Sequence, residues 1–76
     1  MIDPQEWLTT VFSSRAAAKG AIVRRNARDI DKIIGRERFL AELERRGFQA
    51  VENAGQVVIF CNREPIRALQ AVRRGT

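Results

Sequence analysis

Seventy-six residues suffice for one small domain, and no apolar run approaches the ~20 residues that cross a bilayer. Fourteen basic residues, twelve of them arginine, outweigh nine acidic ones, so the chain carries a net charge of +5 and attracts polyanions. With one cysteine and no histidine, an intrachain disulfide is excluded, a zinc site is not expected, and acid–base chemistry lacks its default base near neutral pH.

The first element is announced by Asp3-Pro4-Gln5-Glu6. Asp3 is a helix cap, Pro4 suits the first helical position, and Glu6 stands where a capping box wants an acid. Trp7, Leu8, Val11 and Phe12 then share one face. Ser13-Ser14 weakens the helix, residues 15–18 prolong it, and Lys19-Gly20 closes it. A short strand follows at residues 21–25, and 26–28 connect it onward. Asp29 is expected to cap the next helix, with Ile30, Ile33 and Ile34 facing the core. Gly35 breaks that helix, so that Phe39, Leu40 and Leu43 of a second one, Arg36–Arg46, aim at the same core. Gly47 ends it in a left-handed conformation, with Phe48 packing back on Leu43 and with Arg45 and Arg46 favoured by the dipole in the last turn.

Two strands come next, residues 48–52 and 57–61, joined by Asn53-Ala54-Gly55. A three-residue connection ending in glycine suits a type I turn with a left-handed third residue. Val57–Cys61 is apolar on both faces, which predicts a central strand covered on both sides. After a turn at residues 62–65, Pro65 opens a short last helix bearing Ile66, Leu69 and Val72, and residues 73–76 fray.

The expected architecture is α+β, a single domain over residues 1–76. Its core spans residues 4–61, and residues 62–76 form a minor helix and tail. The order α-β-α-α-β-β-(α) is winged-helix-like, with a three-stranded antiparallel sheet whose last strand is central. Fold alone does not give function. Arg36–Arg46, in the place of a recognition helix, is only about three turns long. It carries Glu37, Glu42 and Glu44, which face phosphates unfavourably, and the hairpin tip has no charge. Residues 36–61 also resemble the opening of double-stranded-RNA-binding α-β-β-β-α domains, including the HicA toxins. Those toxins use a strand histidine that this chain lacks, so ribonuclease activity is not implied.

The run Ile22-Val23-Arg24-Arg25, with Asp29, Gly35, Phe39, Arg46-Gly47-Phe48 and the segment 56–62, resembles a group of short bacterial proteins of unknown role. Some of these bear the label N-(5′-phosphoribosyl)anthranilate isomerase. That enzyme is a (β/α)8 barrel, a fold of about 200 residues or more, and the resemblance carries no catalytic residue over to this chain.

Enzymatic chemistry is not expected. Cys61 lies in the most apolar run, where burial raises a thiol pKa, and the five glycines are too scattered for a phosphate loop. No cofactor, metal, membrane or small-molecule substrate is predicted, and the expected location is cytoplasmic. The leading expectation is a nucleic-acid-binding protein, of the kind that regulates transcription, with Arg24, Arg25, Arg28, Arg36, Arg38, Arg45 and Arg46 on phosphates. The alternative is a homo-oligomeric or partner-docking module without a nucleic-acid role, using the outer face of Val57–Cys61 and the terminal helices. A hydrolase or isomerase built on Cys61 ranks third.

Overall fold

The chain folds around its last strand. The computed structural model describes residues 3–70. Four helices, α1 (Pro4–Phe12), α2 (Arg15–Ala18), α3 (Ala27–Ile33) and α4 (Arg36–Arg46), accompany three strands, β1 (Ile22–Asn26), β2 (Gln49–Asn53) and β3 (Gln56–Phe60). The sheet is antiparallel throughout, in the order β1-β3-β2, so the late apolar strand is central as its sequence predicts.

Helix starts follow local polar chemistry. Asp3 accepts the Glu6 amide at 3.1 Å, with Pro4 in the first turn. The Ser13-Ser14 pair ends α1 outright. Ser14 donates its hydroxyl to the Val11 carbonyl at 3.0 Å and caps α2 by accepting the Ala17 amide at 3.3 Å. Gly20, at φ +72°, closes α2. The Gly20 amide bonds the Ala17 carbonyl and the Ala21 amide bonds the Ala16 carbonyl, the paired bonds of a Schellman stop.

One cap differs from expectation. Asn26, not Asp29, caps α3, its Oδ1 accepting the Arg28 amide at 2.8 Å. Asn26 ends β1 in extended backbone and so already has the dihedrals a cap needs, whereas Asp29 lies within the first turn and contributes only favourable charge there. Gly35, at φ +86° and ψ 149°, separates α3 from α4 in a region of backbone space held by glycine almost alone.

The core is one cluster. Trp7, Leu8, Val11 and Phe12 of α1, Ala27 and Ile30 of α3, Phe39 and Leu43 of α4, Val23, Val57 and Ile59 of the sheet, and Cys61 just after β3 all take part. Trp7 meets Phe39 edge to face, centroids 6.5 Å apart. Leu40 does not join the stripe expected of it and is half exposed: Phe39 and Leu43, at i and i+4, take the core, and Leu40 stands a hundred degrees round the helix. Gly47 closes α4 at φ +76°, with the Phe48 amide on the Leu43 carbonyl at 2.9 Å. The Phe48 ring lies 5.8 Å from that of Phe12.

Three further expectations change. The hairpin is a two-residue turn, because Asn53 pairs with Gln56 and both Ala54 (φ +51°) and Gly55 (φ +78°) are left-handed, the type I′ signature. Among the described residues the helices cover the sheet on one side only: Val57 and Ile59 are buried beneath them, while Val58 and Phe60 on the other face are half-buried. No helix forms at residues 61–70, where Ile66 and Leu69 stand exposed. Three apolar residues at three-residue intervals bury too little to offset the cost of nucleating so short a helix. Val72 and the expected frayed end, 73–76, lie outside the described residues. Among the described residues no helix is long and apolar enough to cross a membrane.

Two stability measurements check these assignments. Asn26→Ala should cost about 1 kcal/mol in chemical denaturation, and Asp29→Ala clearly less. Ala54→Asn should raise stability by up to about 1 kcal/mol, since the short amide side chain of asparagine bonds the local backbone and favours the left-handed conformation that alanine adopts here at a cost.

Candidate nucleic-acid interface

The seven arginines expected on phosphates fall into two groups. On α4, Arg36 bridges two carboxylates, Nε to Asp31 at 3.2 Å and Nη1 to Glu52 at 2.7 Å. These bonds, the one to Glu52 foremost, hold its proton more firmly than usual. Arg38 donates to Oε1 of Gln5 at 3.2 Å. Arg45 and Arg46 both close on Glu42, the latter at 2.7 Å. The Arg46 guanidinium also lies 4.5 Å above the centre of the Phe12 ring, a cation–π contact that fastens α4 to α1. The charge of this helix is thus largely answered from within the molecule.

Arg24, Arg25 and Arg28 differ. None of them forms an ion pair among the described residues. Arg24 and Arg28 are exposed, and Arg25 is half-buried with Nη1 donating to the Arg24 carbonyl at 2.6 Å. They occupy the end of β1 and the first turn of α3. The Ala27 amide bonds the Gly55 carbonyl at 2.8 Å, so the hairpin tip adjoins this junction.

Strand alternation then assigns the faces. Val23, Val57 and Ile59 point into the core. The outer face therefore carries three cross-strand rows: Ile22–Phe60–Gln49, Arg24–Val58–Val51 and Asn26–Gln56–Asn53. It holds one arginine, four apolar side chains, four amides and no carboxylate. Ile22 is 50% and Val51 45% exposed, large fractions for apolar residues in a sheet. The one acid of the sheet, Glu52, belongs to the opposite face and is engaged by Arg36.

Ile22, Val51 and the amides were not among the sequence candidates, and Val58 and Phe60 entered only through the outer face of Val57–Cys61 in the docking alternative. Alternation within residues 56–60 separates Val58 and Phe60 from Val57 and Ile59. Only the strand order shows that Ile22, Arg24 and Val51 share their side.

Cys61 is buried, and its thiol lies 4.0 Å from the Ile59 carbonyl. Burial pushes its pKa up, against the weaker pull of Arg25 and Arg46. Among the described residues no group of three or more carboxylates and thiols is placed to hold a metal ion. No protein-family model, curated protein or solved structure matches the chain. The interface is therefore defined by its own residues: an acid-free sheet face with Arg24 as its one charged side chain and Arg28 just beyond its Asn26 end, while Arg25 lies on the opposite face with Val23 and Val57.

Glu42 supplies a pH handle on the other arginine group. The hydrogen bond from Arg45, aided by Arg46 and opposed by partial burial, holds its pKa below the usual carboxylate value. A depressed acid stabilises the fold above its unfolded pKa, and that contribution disappears as pH falls through the native one. Thermal melts of the wild type and Glu42→Gln should differ by up to about 1 kcal/mol at neutral pH. The difference should close on acidification below about pH 4.

Proposed function

We propose that this protein is a small, non-enzymatic nucleic-acid-binding module that meets phosphates through Arg24, Arg25 and Arg28. The observation that carries the reading is the contrast between the two arginine groups. Arg36, Arg45 and Arg46 of α4 are matched by Asp31, Glu42 and Glu52, and Arg38 there donates to the neutral Gln5, whereas all three arginines of the β1–α3 junction have no carboxylate partner among the described residues. An arginine already paired gains little by meeting a phosphate, since one charge-assisted contact is exchanged for another. An unpaired one releases a counterion from the polyanion at no such loss. Net charge of +5 adds long-range attraction of the same sign.

This reading moves the contact surface away from α4, the helix that would enter the major groove in a winged-helix protein. Glu37 and Glu44 on that helix make no ion pair among the described residues and would oppose such a contact.

Fluorescence anisotropy with a labelled oligonucleotide tests it. Affinity should fall steeply between about 50 and about 200 mM salt. Changing Arg24, Arg25 and Arg28 together to alanine should weaken binding and reduce the salt slope by about 2 to 3, near one per arginine. Arg45→Ala should leave the slope close to that of the wild type. A salt-independent signal, or no binding at the lower salt, overturns the proposal.

A further inference from the structure

We infer that the outer face of the sheet is a platform for single-stranded nucleic acid, with Phe60 as the stacking residue and Arg24 as its phosphate partner. This rests on the nucleic-acid reading above and narrows it to one ligand form. Phe60 and Arg24 belong to adjoining rows of the same face, Phe60 opposite Ile22 and Arg24 opposite Val58. Such diagonal neighbours stand about 7–8 Å apart, close enough for one nucleotide to place its base on the ring and its phosphate at the guanidinium. An aromatic on β3 beside a cation on β1 gives one sheet face the pairing of ring and positive charge that stacked bases use.

The remainder of the face fits the same ligand. Gln49 lies beside Phe60, and Asn26, Gln56 and Asn53 form the far row. The amides of Gln49, Gln56 and Asn53 both donate and accept, as the edges of unpaired bases require, while Asn26, its Oδ1 held by the Arg28 amide, has only its Nδ2 to donate. Arg28 continues the positive charge beyond Asn26 along the α3 start. Duplex offers no base faces to Phe60, and its major groove admits a helix or a two-stranded ribbon rather than the face of a three-stranded sheet.

Charge decides between this occupant and a second copy of the chain. Two such faces packed together would enclose two Arg24 side chains and no carboxylate, leaving buried positive charge unpaired. A strand of phosphates supplies the missing anion. Five residues at about 3.3 Å each give the face a length of about 16 Å, room for a few nucleotides.

The experiment compares one labelled pyrimidine oligonucleotide, alone and annealed to its complement, at low salt. We expect the single strand to bind at least about tenfold more tightly than the duplex, and Phe60→Leu to remove about that advantage. Arg24→Ala, at an exposed position, should weaken the single strand as well. Circular dichroism melts establish that each variant is folded. Because Phe60 is half-buried, Phe60→Trp provides a second test: its emission, above that of buried Trp7, should be quenched by the single strand and not by duplex. Duplex binding equal to or tighter than single strand, with Phe60→Leu unchanged and Phe60→Trp unquenched, overturns this inference and leaves the broader proposal standing. Binding of neither form overturns both. A dimer in light scattering that Ile22→Lys converts to monomer assigns the face to a second copy and overturns the inference.

Discussion

Antiparallel pairing of β3 with both β1 and β2 is the constraint on which everything else rests. It places Val57, Ile59 and Cys61 under the helices and makes the last strand the partner of the first. A strand hydrogen-bonded on both sides has no unsatisfied backbone groups within the sheet. The helices then need only cover one face, and α1, α3 and α4 do so through a single cluster. A chain this small has little more apolar surface to bury, so the second face is left to solvent.

The acidic residues divide the arginines into structural and available sets. Glu42 gathers Arg45 and Arg46, and Arg46 in turn covers Phe12. Arg36 links α3 to β2 through Asp31 and Glu52, tying the helical layer to the sheet edge. Exposed pairs of this kind contribute little stability each. Their larger effect is on the surface field, which they flatten over α4 and leave positive at the β1–α3 junction. Location of charge within the fold therefore says more about partners than net charge does.

Much of this was legible in the residues. Asp3-Pro4, Gly35 and Gly47 mark helix boundaries through local chemistry, and the β-branched run at 57–61 identifies the central strand. What escaped depends on context. Asn26 and Asp29 are both good caps in isolation, and the strand preceding α3 decides between them. The turn at 53–55 contains a left-handed alanine, which local preference argues against and the strand pairing imposes. Val58 and Phe60 are as apolar as their buried neighbours, so only the count of helices available to cover the sheet shows that their side remains open. Of the site, the arginine cluster at 24, 25 and 28 was legible, but which arginines meet carboxylates depends on contacts such as that between Arg36 and Glu52, sixteen residues apart.

A three-stranded sheet of order β1-β3-β2 also has two unpaired borders, one on β1 and one on β2. Rows of open amides and carbonyls invite strands from neighbouring molecules to extend the ribbon indefinitely. Both border strands are only five residues long. One holds two adjacent arginines, and the other a glutamate beside the hairpin. Brevity and like-charge repulsion at the arginine border thus guard against fibrous assembly, so the arginines proposed here to meet phosphates also keep one molecule's border from another's.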